Sequence, residues 1–446
     1  MKHRIENLDL TIEKLIYGGA GLARLPADDH GRGKAAFVPF TLPGETVRAV
    51  LEEEKPGFVR ARAEEILKRS KERVEPPCPY FRRCGGCHYQ HTSYQYQLEI
   101  KANILRENLR RLAKMETPLE VITHGSPPWN YRNRTRLQVR VDAAFGLGYF
   151  QSSSHVLLPV DTCPINSPLL NRAIEAIWQL GRAGQVPDEV REIELFANDD
   201  DTQLQVEIYR DTRKNAKRTP ASQTFAEGLR SEVPEIVNAS VFGQTTAAAR
   251  GIEGHVSEAP ECTLGPGEFH YRTKAGPLRV SGGSFFQVNR FLVEELESLV
   301  TAGRSGEIAL DLYAGVGLFS VALAASFRHI VAVESSQGSA SDLQYNAVRN
   351  VKAVRSTVDA YLRGRGAKVR PDFVVVDPPR AGLGERVART LARLGASRLT
   401  YVSCDPATLA RDLIPLIAGG YRVERLHLVD LFPQTYHIES VVELIR

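Results

Sequence analysis

No stretch of this chain approaches the ~18 consecutive apolar residues that a membrane-spanning helix needs, so no helical membrane segment is expected. The opening "MKHRIENLDL" alternates polar and apolar residues and lacks the apolar core of a secretory signal. A cytoplasmic protein without membrane contact is the expectation. Internal repeats and long low-complexity tracts are also missing, which leaves ordinary globular domains. The net charge is slight, +4 over 446 residues. At that length one core does not suffice, and two or three domains are expected.

Cysteine is scarce and unevenly placed. Cys78, Cys84 and Cys87 fall within "CPYFRRCGGC", Cys163 follows in "DTCPIN", and Cys262 and Cys404 stand apart. In a cytoplasmic chain such a cluster reads as a metal site before it reads as disulfides. Zinc prefers two C-x-x-C pairs, and only one is present. Three close thiols with a distant fourth suit an iron–sulfur cluster at least as well. Cys262, in "EAPECTLG", has no role in either scheme.

Residues 1–63 alternate in the manner of a small β-barrel, punctuated by "GGAGLARL", "ADDHGRGK" and "LPGE". The second domain spans 64–280. It begins with the cysteine segment and a helix over 93–115, where Tyr96, Ile100, Ile104, Leu105, Leu109 and Leu112 recur at helical spacing. That helix is expected to pack on the C-terminal domain. From about Tyr131 to Val280 the pattern is mostly strand, with "TPASQTFAEG" read as an exposed loop.

Charge is concentrated in one place. Between Lys101 and Arg140, nine Lys and Arg face three Glu and no Asp. In "YRNRTRLQVRV", Arg132, Arg134, Arg136 and Arg140 share one face of a strand. Such a face suits either solvent or a phosphate backbone.

Residues 281–446 alternate strand and helix, the pattern of a doubly wound, Rossmann-like α/β domain. In "DLYAGVGLFS", Gly315 and Gly317 stand where a buried strand turns into a helix, and Glu334 ends the next strand. A dinucleotide fingerprint would need glycine at 320, where the chain has Ser320. A nucleoside cofactor without a pyrophosphate is therefore expected, and S-adenosylmethionine fits. Asp377, in "VVVDPPRAGL", ends a parallel strand on the ligand-binding edge of such a sheet. In "YVSCDPATLARDL", Cys404 sits at a strand tip with Asp405 as N-cap and Pro406 as first helical residue. A helix N-terminus lowers a thiol pKa, so an activated cysteine is expected, against the alternative of a plain buried thiol.

Together, "DLYAGVGLFS", "DPPRAGL", "SCDPATLARDL" and the terminal "HIESVVEL" resemble the motifs of the RNA uracil-5 methyltransferases, which make 5-methyluridine. "CPYFRRCGGC" with Cys163 resembles the [4Fe–4S] segment of many members, and the first ~60 residues resemble their TRAM domain, an RNA-binding barrel of the OB kind. The resemblance implies Cys404 as nucleophile and Glu439 as base. It implies Gln287, Tyr313, Gly315, Glu334, Asp359 and Asp377 as cofactor contacts, and Cys78, Cys84, Cys87 and Cys163 as cluster ligands, with zinc as the alternative metal. Arg132, Arg134 and Arg136 are candidate RNA contacts. Bacterial 23S ribosomal RNA is the expected substrate of a monomeric enzyme, with the T-loop uridine of transfer RNA as the rival. A non-catalytic RNA-binding protein, an iron–sulfur oxidoreductase and a cytosine-5 methyltransferase are the more distant readings.

Overall fold

The computed structural model describes residues 7–26, 33–115, 120–142, 144–212, 220–245, 255–257, 259–265 and 267–446. Residues 1–6 of the expected first strand, most of the "ADDHGRGK" turn and Thr219 lie outside them. Among the described residues no helix is long and apolar enough to cross a membrane.

The N-terminal sheet has six strands, in the order Asn7–Thr11, Thr46–Glu54, Phe58–Lys68, Ala35–Pro39, Ala20–Arg24 and Lys14–Leu15. Alternate residues point inward, so Leu10, Ala23, Val38, Val47 and Val59 form a small core of their own. The Phe58–Lys68 strand runs past residue 63. Just beyond it, Arg73 reaches back to the buried Glu45 at 2.6 Å and joins the barrel to the cysteine segment.

The helix Tyr94–Leu112 is capped by Ser93, whose hydroxyl accepts from the Tyr96 N–H at 3.4 Å. Its Ile100, Ile104, Leu105 and Leu109 share one core with Leu409, Leu413 and Leu416 of the helix Pro406–Ala418. Lys101 is buried on the same face. Its Nζ donates to Asp430 Oδ1 at 2.6 Å and to the Phe432 carbonyl at 3.0 Å.

The middle sheet runs Leu157–Pro159, Gly146–Phe150, Arg134–Arg140, Val190–Ala197, Leu204–Asp211, Ile236–Thr245 and His255–Val256, with Cys262–Leu264 paired to Ile236–Thr245. Two helices, Pro168–Arg182 and Pro220–Glu232, share its core. The second corrects the loop expected at "TPASQTFAEG". Phe225, Ala226 and Leu229 are buried along it at helical spacing. Polar composition hid this short buried stripe.

The C-terminal sheet has the order Val351–Arg355, Phe327–Glu334, Gly306–Leu312, Phe373–Val376, Arg398–Ser403, Glu439–Ile445, Arg422–Val429 and Val121–His124. The first five strands are parallel. Runs such as "FVVV" are buried on both faces, as a helix-covered parallel sheet requires. Glu439–Ile445 inserts antiparallel beside Arg398–Ser403. Val121–His124, from the chain's middle region, closes the far edge parallel to Arg422–Val429.

Lys101→Ala would leave Asp430 buried and unpaired. Stability should fall by about 3–5 kcal/mol, read from urea unfolding. A loss below about 1 kcal/mol would show that this ion pair does not lock the helix to the domain.

Candidate active site

Strand register brings the two motif residues at the ends of the last domain together. Ser403 pairs with Ser440, and the Ser440 hydroxyl donates to the Ser403 carbonyl at 3.2 Å. Continued by one residue, that register sets Cys404 across from Glu439. Asp377 directly follows the strand Phe373–Val376, which lies on the other side of Arg398–Ser403.

Burial dominates the electrostatics. The Cys404 thiol is pushed up to about 12, first by burial and then by Glu439 and Asp377, with Arg380 opposing. This corrects the expected lowering by the helix N-terminus. The Asp405 carboxylate answers that terminus, accepting from the Ala407 and Thr408 N–H groups at 2.9 Å each. Burial and then Asp377 hold the Glu439 carboxyl far above the usual carboxylate range. Asp377 itself is raised to about 7 by burial and by Asp311.

A crevice opens beside this group, at the C-terminal ends of the parallel strands. Tyr313 turns the chain in a left-handed conformation (φ 66°), and its N–H donates to the Val333 carbonyl at 3.0 Å. The Gly315 N–H donates to Glu334 Oε2 at 3.0 Å, while Glu334 Oε1 accepts from the Ser335 and Ser336 N–H groups at 2.6 Å. Tyr313, Ser335, Thr357, Asp359, Glu385 and Arg386 are among the residues lining a cavity of about 470 Å³. Asp359 is braced there by Arg363 at 2.9 Å and Arg386 at 2.8 Å. Gln287 is buried in the segment before helix Val293–Thr301. Ser320, the residue in place of a third glycine, donates to the buried Asp311. A glycine would leave that carboxylate without its hydroxyl partner.

The family model for tRNA (uracil-5-)-methyltransferase matches residues 93–446. The chain belongs to that family. It is an RNA (uracil-5-)-methyltransferase, an enzyme that methylates uracil at carbon 5 with S-adenosylmethionine as donor. Similar proteins include an uncharacterized RNA methyltransferase of Aquifex aeolicus, 33% identical over 447 residues, covering 98% of each chain. Another, from Halalkalibacterium halodurans, is 32% identical over 463 residues, covering 98% of this chain and 96% of that one. The fold is similar to that of the Pyrococcus abyssi tRNA (uracil-54, C5)-methyltransferase in complex with S-adenosyl-L-homocysteine. The TM-score is 0.72 at 23% identity, covering 98% of this chain and 100% of the other.

Elsewhere in the methyltransferase, Cys78, Cys84, Cys87 and Cys163 line one cavity of about 210 Å³, shared with Arg132 and Tyr149. Burial raises Cys84, Cys87 and Cys163, the last to about 11, so these thiols hold their protons without a cation. Among the described residues, no group of three His, Cys, Asp or Glu is gathered so as to hold a metal ion.

The arginine strand does alternate as expected, but the charges of Arg134 and Arg136 are answered within the protein. Arg134 is buried against Glu194 and Glu207 and donates to the Ser284 carbonyl at 2.6 Å. Arg136 pairs with Glu194 at 2.7 Å and lies 4.0 Å from the Tyr209 ring centroid. Arg132 donates to the Arg134 carbonyl at 2.6 Å beside the thiol cavity. Arg134 is therefore corrected from an RNA contact to a structural ion pair. Its carboxylate partners lie 60 and 73 residues away in sequence.

Other residues at the site escaped sequence reasoning. Arg380 follows Asp377 in the quoted "DPPRAGL" and could have been singled out as the crevice's cation. Asp311 opens the quoted "DLYAGVGLFS" and could have been singled out likewise, whereas Tyr17 carries no local signal. The Gln434 carbonyl, in the loop before Glu439, accepts from the His88 and Tyr89 N–H groups at 2.8 and 2.9 Å. Through these bonds the cysteine segment touches the loop that leads into Glu439.

Asp311 is raised to about 7, chiefly by burial, and Asp377 behaves likewise. Both hold protons when folded that the unfolded chain releases near pH 4. Stability should thus fall as pH rises from about 4 to about 7. Asp311→Asn should flatten that fall by ~2–4 kcal/mol in urea titrations at pH 4.5 and 7.5. An unchanged difference would contradict the assignment of Asp311 as a protonated buried acid.

Proposed function

We propose that this enzyme methylates carbon 5 of a uridine in 23S ribosomal RNA, with Cys404 as nucleophile and Glu439 as base. The observation that carries the reading is the Ser403–Ser440 pairing, one residue beyond which Cys404 and Glu439 come close enough for the Glu439 charge to act on the thiol. Carbon 5 of uracil is a poor nucleophile. As sulfur bonds to carbon 6, the thiol proton passes to solvent water, and the electron pair of the carbon 5–carbon 6 double bond shifts toward O4, giving carbon 5 nucleophilic character. Negative charge then leaves the sulfur, and with it the repulsion from Glu439 and Asp377. S-adenosylmethionine, when bound, supplies the methyl group that carbon 5 takes. Glu439, once it has released its own proton to solvent, removes the proton from carbon 5, and the electron pair left there re-forms the ring double bond as sulfur departs as the thiolate. A buried carboxyl of high proton affinity suits that step.

The cofactor crevice fits a nucleoside sulfonium. It has a cavity at the strand ends, a loop that brings Tyr313 and Gly315 close, and the strand-end acid Glu334. Gln287, Asp359 and Asp377 complete the proposed contacts. The target base must leave its stack to reach Cys404.

For the four cysteines we propose a [4Fe–4S] cluster. Thiols spread around a cavity suit a cuboidal cluster better than one zinc ion, whose four sulfurs sit about 2.3 Å from a single centre. When bound, the cluster would hold all four as thiolates and tie the segment around Cys78–Cys87 to Cys163. The ribosomal substrate rests on this cysteine pattern. Transfer RNA is the second reading, favoured by the description of the matching family.

Glu439→Gln should still form the sulfur–carbon 6 bond but fail to release it. A denaturing gel should show covalent protein–RNA accumulating on unmodified RNA, with turnover down at least a hundredfold. Free methylated product at the normal rate would remove Glu439 from the role of base. Offering 23S and transfer RNA separately decides the substrate. Cys84→Ser should lower iron per chain after anaerobic purification and lower the melting temperature; unchanged values would exclude it as a ligand.

A further inference from the structure

Tyr17 belongs to the barrel, nearly 400 residues from Cys404 in sequence, yet it reaches the candidate nucleophile. It stands on the shoulder of a tight turn in which the Gly19 N–H donates to the Ile16 carbonyl at 3.1 Å. The next two residues, Gly18 and Gly19, have φ of 102° and 87°, a left-handed pair that side chains would strain. A Cβ on Gly19 would stand only 3.1 Å from the Cβ of His88, so the glycine also lets the turn rest against the cysteine segment. The barrel is held in this pose by the Lys14–Glu107 ion pair to the helix Tyr94–Leu112 and by the buried Arg73–Glu45 pair.

From this turn the Tyr17 hydroxyl donates to the backbone carbonyl of Cys404 at 3.2 Å. Its ring meets Tyr436 edge-on, with centroids 5.5 Å apart and planes at 88°. Tyr436 lies three residues before Glu439, and its other contacts include the His88 ring at 4.6 Å. One barrel side chain therefore touches the segments that carry both candidate catalytic groups.

We propose that Tyr17 is a positioning residue for the methyl-transfer site, delivered by the barrel, which orients the Cys404 peptide through its hydroxyl and the Tyr436 loop through its ring. The Cys404 carbonyl belongs to the peptide that joins the thiol-bearing residue to the helix cap Asp405. Fixing that carbonyl fixes the direction from which sulfur approaches carbon 6. Burial, then Asp405, raises the Tyr17 phenol well above its ordinary range, so it remains a donor at any working pH. The barrel then contributes to the chemical step in addition to any hold it has on RNA. This inference rests on the reading of Cys404 as nucleophile.

The test uses the full-length protein with Tyr17→Phe, which removes only the hydroxyl, and Tyr17→Ala, which removes the ring contact as well. Loss of one positioning hydrogen bond should lower kcat about fivefold to tenfold in Tyr17→Phe, with KM for RNA and melting temperature unchanged. The rate of covalent trapping by 5-fluorouridine RNA should fall by the same factor, and further in Tyr17→Ala. Wild-type kcat and trapping rate in Tyr17→Phe would overturn the proposal. So would a raised KM with kcat intact, which would make Tyr17 an RNA contact instead. If wild-type protein gives no adduct at all, the nucleophile reading fails and takes this inference with it. An adduct in wild type that Tyr17→Phe forms equally fast sinks the positioning role alone.

Discussion

The site depends on one antiparallel pairing. Strands Arg398–Ser403 and Glu439–Ile445 run side by side with Ser403 against Ser440, at the edge where the sheet stops being parallel. Opposed residues on antiparallel strands project to the same face, and a slip of one residue would send one of them to the other side. Burial on both faces leaves no freedom for such a slip, since Tyr401, Val402, Val441 and Val442 are all core residues. The same sheet fixes Asp377 one strand away and aims the Tyr313–Gly317 loop at the adjoining crevice. Helix Tyr94–Leu112 and the buried Lys101–Asp430 pair then hold the loop that leads into Glu439.

Gathering a thiol and two carboxyls in a buried pocket has a predictable electrostatic result. Ionising any one of them is opposed first by desolvation and then by nearby carboxyls, Asp377 at Glu439, Glu439 and Asp377 at Cys404, and Asp311 at Asp377, so the resting site carries little charge. Cys404 is thus not a preformed thiolate despite standing before a helix. The helix terminus is already satisfied by Asp405. Arg380, which opposes the upward shifts of Cys404 and Glu439, is the cation that tempers this repulsion. On the proposed reading of Cys404 as nucleophile, a protonated thiol suits a neutral substrate ring, because the charge that develops during addition can spread onto the uracil rather than remain on sulfur.

Much of this was legible in the sequence because the signals were local. The loop "DLYAGVGLFS", the strand ends at Glu334 and Asp377, and the Asp405–Pro406 helix start depend on neighbours within a few residues, and each lies where local rules put it. The central helix Pro220–Glu232 was missed because its apolar stripe is short and its composition polar. The pKa of Cys404 departs from the local reading for a different reason: the helix dipole is visible in the sequence, but the burial of the strand tip, and after it the carboxyls of Glu439 and Asp377, are not. Arg134 shows the same limit, since the strand alternation was right while its acidic partners sit on other strands. Tyr17 was beyond sequence reading altogether, because a barrel docked against a distant strand tip leaves no periodic or motif trace.

The most direct measurement is to locate the bond itself. Protein trapped with S-adenosylmethionine and 5-fluorouridine-substituted RNA would be digested with nuclease and protease, and the modified peptide sequenced by mass spectrometry. Fluorine at carbon 5 cannot leave as a proton, so addition should stall after methyl transfer. The account predicts a methylated fluorouridine attached to Cys404 in the peptide containing "YVSCDPATLAR" and to no other cysteine. Attachment at a different residue, or methylation of RNA without any covalent intermediate, would contradict it.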